Sequence, residues 1–215
     1  MNRVKLLIAV LALGAFVVAC DKGADKKEVK AAEPNPALAV TAPEGAYSVD
    51  NVHSMVIFKI GHMKAGNIYG RFNGIGGYVK LNDKELNKSA ILLKFDVASV
   101  DTNVQKRDDH LRSPDFFDAK KFPIATFTSK SITADGKNYK VVGEFDLHGV
   151  KKELTATVVK LGQIDKDPMG VPRAGGETKF RIKRSDYGVN GIDGKMPGLL
   201  TDEVEVIVAI EGIKK

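Results

Sequence analysis

The chain has 215 residues, 43% of them hydrophobic and 28% charged, with a formal net charge of +6, no tryptophan and a single cysteine. That length suits one large domain or two small ones, and the apolar share is ordinary for a packed core. One cysteine excludes an internal disulfide framework and a cysteine-based zinc or iron–sulfur centre.

Residues 1–19 read as an export signal. Arg3 and Lys5 precede an apolar run from Leu6 to Ala19, which is too short to span a bilayer as a helix and has the length of a signal-peptide hydrophobic region. The run ends in Val17-Val18-Ala19-Cys20, which resembles the lipobox of bacterial lipoproteins. That resemblance implies a diacylglycerol on Cys20, cleavage before it, and a domain anchored to a bacterial membrane and facing the periplasm. Asp21 follows the cysteine and, on the pattern of enteric lipoproteins, favours the inner membrane. Acylation with two or more chains gives stable anchoring, where one chain binds only marginally.

Residues 20–43 read as a flexible tether behind the lipidated cysteine. From residue 21 they hold four lysines and four acids, no aromatic residue, and prolines at 34, 36 and 43. Such a stretch buries too little to fold alone. From residue 44 onward, 27 cations face 23 acids, so the domain itself is only mildly basic. Behind an export signal, that excess gives no support to a nucleic-acid partner.

Residues 44–215 alternate apolar and polar positions, the signature of half-buried strands. Val56, Phe58 and Ile60 form one apolar stripe, and Gly77, Val79 and Leu81 the next, after a glycine-rich bend. Ile91, Leu93, Phe95 and Val97 follow, then Ala125 and Phe127, then Val141, Gly143, Phe145 and Leu147 up to a tight turn at His148-Gly149. Leu154, Ala156 and Val158, then Phe180 and Ile182, then Val204, Val206, Val208 and Ile210 complete about eight or nine strands. One short helix is predicted between Val104 and Ser113, too short to cover that many strands. The sheet must therefore cover itself, as a sandwich or a closed barrel. Glycines such as Gly77 and Gly143 within these patterns mark either bulges or interior room.

An ordered set of short segments then resembles a known family. Tyr47-Ser48-Val49-Asp50, His53-Ser54, Gly70-Arg71-Phe72, Ser99-Val100-Asp101-Thr102, Arg107-Asp108, His110-Leu111, Asp115-Phe116-Phe117-Asp118, Phe122-Pro123 and Arg184-Ser185-Asp186-Tyr187-Gly188 are similar to the YceI-like, polyisoprenoid-binding proteins of the bacterial periplasm. The resemblance runs from about Ala46 to Ile213. It implies an all-β fold, an extended antiparallel eight-stranded lipocalin-like barrel with one short helix. It also implies an interior holding a polyisoprenoid or similar long-chain amphiphilic lipid, of quinone or polyprenyl type, for sequestration or transport, and it leaves room for a homodimer. It supplies no catalytic residues.

Candidate ligand contacts are the dry stripes, Val56, Phe58, Ile60, Leu93, Phe95, Phe127, Phe145 and Val206, which would equally fill the core of a small barrel. Between Val104 and Asp118, Arg107 and His110 either meet a polar head group at a barrel mouth or belong to a surface helix whose charges pair locally. In that second reading Leu111 and Phe117 plug one barrel end. The four histidines show no metal-ligand spacing, and no serine-elbow or phosphate-loop motif is present. A non-enzymatic lipid-binding module is thus the leading expectation. A barrel serving as scaffold for a protein partner is the alternative, and a lipid-modifying enzyme using Asp108, Asp109 or His110 is a third.

Overall fold

Alternating side chains do build strands here, and closure decides their arrangement. The computed structural model describes residues 35–214; Cys20, the export signal and the first part of the expected tether lie outside them. In chain order the strands are β1 (Tyr47–Val49), β2 (Met55–His62), β3 (Gly66–Phe72), β4 (Ile75–Lys80), β5 (Ala90–Asp96) and β6 (Val100–Asp101). Helix α1 (Gln105–Arg112) follows, then β7 (Ile124–Asp135), β8 (Asn138–Leu147), β9 (Val150–Ile164), β10 (Arg173–Lys183) and β11 (Leu200–Lys214). All pairings are antiparallel, and the long β11 pairs β10 on one edge and both β1 and β2 on the other.

Eleven segments make eight staves, because three staves are broken in the middle. β1 runs on into β2, β3 into β4, and β5 into β6, as shown by the pairs β1–β4, β2–β3, β4–β5 and β3–β6. The three breaks lie side by side and are stitched together. The Asn51 Oδ1 accepts from the Ile75 N–H at 2.8 Å, and the Ser99 Oγ accepts from the Gly74 N–H at 2.8 Å. Asp50 and Asp96 cap the first and third breaks by accepting from the N–H groups of Val52 and Ala98, each at 3.0 Å. His53 consequently stands in the turn of the first break. The result is an eight-stave up-and-down barrel, closed where β11 meets β1 and β2.

Closure turns the dry stripes inward, where Val56, Leu93, Phe95, Phe127, Val141, Phe145 and Val206 join one core cluster. The wet face carries cross-strand ion pairs such as Lys151–Glu144 at 3.0 Å and Arg181–Glu203 at 3.1 Å. Exposed pairs of this kind are worth at most about 1 kcal/mol each, so they favour the register without holding the barrel. Helix α1 lies at the broken third stave, where Arg112 donates to the carbonyls of Ala98 and Val100, both at 2.7 Å. Part of the expected tether is folded: Asn35 caps a short 3-10 turn (Pro36–Leu38), and the buried Leu38 lies against Gly74 and Gly76.

Two glycines explain how the staves approach so closely. Gly77 has φ +124°, and a Cβ there would stand 2.0 Å from the carbonyl oxygen of Leu92. At Gly143 a Cβ would meet the Phe127 ring at 2.4 Å, and a register shift lies opposite, between Ser129 and Ser131. Gly143 thus lies opposite a bulge on β7, and the place of its missing side chain is taken by the Phe127 ring rather than left as interior room. Gly77→Ala should destabilise the barrel by about 1–3 kcal/mol, from backbone strain plus the clash. Chemical denaturation checks this, and an unchanged midpoint would contradict the close β4–β5 approach.

Candidate ligand-binding site

The eight staves enclose two chambers. Chamber 1, of about 250 Å³, lies at the end where β1 begins and β11 ends. Chamber 2, of about 320 Å³, lies toward the β2–β3 hairpin and helix α1. Phe95, Phe145, Phe180 and Val208 border both, so the chambers meet at a waist of three aromatic rings and a valine. Each chamber is near the lower end of the range of about 300–1,000 Å³ common for small-molecule sites. Their shape is an elongated apolar space, suited to a chain rather than a compact ligand.

Side-chain size along the staves creates this space. On β9 and β10, the residues lining chamber 1 include Ala156, Gly162, Ala174 and Gly176. A Cβ on Gly162 would have no neighbour within 4 Å. On the other side of the waist, Phe58, Phe72 and Phe117 form an aromatic chain with ring centroids 5.7 and 5.6 Å apart. Gly70 makes this possible, since a Cβ there would stand 2.2 Å from the Phe58 ring.

The ten candidate ligand contacts each border one chamber or the waist, whereas Asp108 and Asp109 border neither. Leu93 and Phe127 border chamber 1, Phe95 and Phe145 the waist, and Val56, Phe58, Ile60, Val206, Arg107 and His110 chamber 2. The helix also carries the locally paired charges of the other reading. Arg112 donates to Asp109 at 3.0 Å, and His110 Nε2 is 2.9 Å from Asp115. The bond to His110 is the first cause, with Lys195 nearby, of an Asp115 carboxyl held below its ordinary range. Leu111 and Phe117 do wall one barrel end, and both line chamber 2. The helix thus pairs its outer charges locally, as the second reading has it, while Arg107 and His110 also border chamber 2.

The polar rim of chamber 1 had no signal in the sequence. Asp83, from the β4–β5 loop, accepts from the Tyr139 hydroxyl at the start of β8 and from Lys160 Nζ near the end of β9, the latter at 3.3 Å. The Tyr139 bond, opposed by partial burial and aided by Lys160, holds the Asp83 carboxyl below its usual value. Burial first, and then Asp83, raise the Tyr139 hydroxyl. These three residues are far apart in sequence and only the barrel end assembles them. Phe180 was legible as part of a dry stripe, but its place at the waist was not.

Outside the barrel, Asp50, His53 and Glu211 bring three ligand-type atoms within 4.8 Å of one another. Arg173 already supplies the cation there. Its Nη1 donates to Asp50 at 2.9 Å and Glu211 at 2.5 Å, and its Nε donates to Asp167 at 2.7 Å. This cluster pins the β9–β10 loop to the first stave break.

Burial works against ionisation of Asp50, but hydrogen bonds from His53, Arg173 and the Val52 N–H outweigh it and lower its pKa. Asp167 is lowered chiefly by the Val171 N–H and then by Arg173. Their stabilising share is complete above about pH 4, the ordinary carboxylate value, and is lost as pH falls from there through the lowered folded-state values. Thermal melts between about pH 6 and pH 2.5 should show wild type losing more stability below pH 4 than Asp167→Asn does. Parallel losses in the two proteins would deny the cluster this role.

Comparison with known proteins converges on one family. The YceI-like domain matches residues 47–212. Protein YceI of Escherichia coli O17:K52:H18 is 35% identical over 171 residues, covering 79% of this chain and 87% of the relative. Protein YceI of Salmonella newport is 34% identical over 177 residues, covering 81% and 90%. Among solved structures, Burkholderia cenocepacia BcnA aligns with a TM-score of 0.69 at 25% identity, over 76% of this chain and 99% of that one. The Campylobacter jejuni YCEI protein aligns with a TM-score of 0.60 at 28% identity, over 73% and 91%. A polyisoprenoid binding domain from Saccharophagus degradans, implicated in plant cell wall breakdown, shares the fold with a TM-score of 0.59 at 20% identity, over 77% and 96%.

Proposed function

The chain belongs to the YceI-like family, and from that premise we propose that it is a lipid-binding protein whose barrel holds a long-chain isoprenoid or similar amphiphile for sequestration or transport. The observation that carries this reading is the pair of apolar chambers joined at an aromatic waist. A linear chain threaded through that waist would touch both chambers and bury its length. Each methylene leaving water gains about 0.8 kcal/mol, but a lipid coming from a bilayer has already made that gain. Affinity therefore depends on packing against rings such as Phe95, Phe145 and Phe180 and on the head group. The S. degradans domain of the same fold is described as polyisoprenoid binding, which agrees with this ligand class.

The same proposal places the domain at a bacterial membrane, facing the periplasm and anchored through acylated Cys20. Its support is the sequence of residues 1–20. Radiolabelled palmitate should enter the wild-type chain and not Cys20→Ser, which should be recovered in the soluble fraction. Labelling of both, or of neither, would remove the anchor from the proposal.

Mass spectrometry of an organic extract of natively purified protein tests the ligand directly, with an isoprenoid-type lipid expected. Gly162→Leu enlarges an exposed residue at the border of chamber 1, where a Cβ meets nothing within 4 Å. The variant should fold normally and lose most of the co-purifying lipid. A lipid-free wild type, or undiminished lipid in Gly162→Leu, would count against a ligand in this barrel.

A further inference from the structure

Both chambers are walled by apolar side chains, but their charged groups differ. Chamber 1 is bordered by Asp83, Glu177, Lys160 and Lys214, two groups of each sign. Chamber 2 is bordered by Arg107 and Arg184, together with His62 and His110, and by no carboxylate. Arg184 is fully engaged: it donates to the carbonyls of Thr201 and Val189 and to Asp193, the last at 2.6 Å.

Arg107 is different. Five of the six arginines among the described residues hold a carboxylate: Arg71 holds Asp101, Arg112 Asp109, Arg173 its three acids, Arg181 Glu203, and Arg184 Asp193. Of these six arginines only Arg107 has no carboxylate oxygen within 4.0 Å. Its Nε donates to the Thr102 hydroxyl at 2.7 Å and its Nη2 to the Thr102 carbonyl at 2.8 Å. Asp108, next in sequence, is turned to Thr102, accepting from its N–H at 2.8 Å and its hydroxyl at 2.5 Å. Thr102 thus fixes the guanidinium plane and leaves Nη1 without a protein partner. Among the described residues no fully buried side-chain nitrogen lacks a hydrogen bond, so Nη1 remains accessible.

A guanidinium beside apolar surface with no carboxylate in direct contact keeps hydrogen-bonding capacity that an acceptor oxygen can take up. A pre-oriented N–H edge on such a group is well suited to an oxygen acceptor, because charge-assisted hydrogen bonds are about twice as strong as neutral ones.

We propose that chamber 2 is the head-group end of the site: Arg107 Nη1 donates to an acceptor oxygen of the lipid, and the tail passes the Phe95–Phe145–Phe180 waist into chamber 1. This rests on the lipid-holding reading above and adds a direction and a head-group chemistry to it. The acceptor is a carboxylate, phosphate or quinone carbonyl oxygen; an ammonium head group is excluded by charge.

Isothermal titration of the full-length, lipid-stripped protein with chains of one length tests this. Oleate, oleyl phosphate, oleyl alcohol and oleylamine are compared in wild type, Arg107→Gln and Arg107→Lys, beside an isoprenoid benzoquinone. Wild type should prefer an acceptor-bearing chain over oleylamine by about tenfold or more, as one charge-assisted hydrogen bond allows. Arg107→Gln should erase that preference while binding of oleyl alcohol persists, and Arg107→Lys should restore part of it. The head group losing most affinity in Arg107→Gln identifies the acceptor type. Equal binding of oleylamine and oleate by wild type, or an undiminished preference in Arg107→Gln, would overturn the assignment. If no chain binds wild type at all, the lipid-holding function itself fails; retained alcohol binding without head-group preference condemns only the orientation.

Discussion

The whole molecule depends on one closure. A sheet of eight staves with one dry face needs a cover, and a helix of eight residues cannot provide it. β11 solves this by pairing along its far edge with both β1 and β2, so that the first and last staves meet. Every inward stripe then shares one interior. Closure also removes free edges along most of the wall, which protects an extended antiparallel sheet from pairing with other chains.

Because the barrel is closed, its interior is set by the side chains that point inward, and these are unevenly sized. Phenylalanines crowd the middle, while alanine and glycine dominate the β9 and β10 positions toward one end. The consequence is a constriction between two cavities, where uniformly large residues would have made a solid core. Packing and cavity are thus products of the same pattern. Rings at the waist stabilise the barrel by burial and at the same time divide its interior.

The line of three broken staves has a second effect. Beyond the third break, β6 pairs with β3 but not with β7, and Leu111 of α1 and Phe117 after it border chamber 2. A charged helix can border an apolar chamber only because its outer groups pair among themselves and with backbone carbonyls. Arg107 is held by that same junction through Thr102, which ties the polarity of chamber 2 to the geometry of the break.

Much of this was written into the sequence. Period-two alternation located eight of the eleven strand segments and their inward faces, because the pleat allows no other assignment once one face must be dry. The short β1 and β6, and β3 hidden in the glycine-rich stretch that read as a bend, lay outside those stripes. The Val104–Ser113 interruption determined the helix, and the dry stripes determined which residues border the interior. Tertiary structure alone decided the rest. The division into two chambers needs rings from β5, β8 and β10 to converge across the barrel, and no local pattern encodes that distance. The Asp83–Tyr139–Lys160 rim and the Arg173 cluster join residues far apart in the chain, brought together only when the barrel closes. Net charge is equally mute about Arg107: that no carboxylate touches its guanidinium is a property of space rather than of sequence.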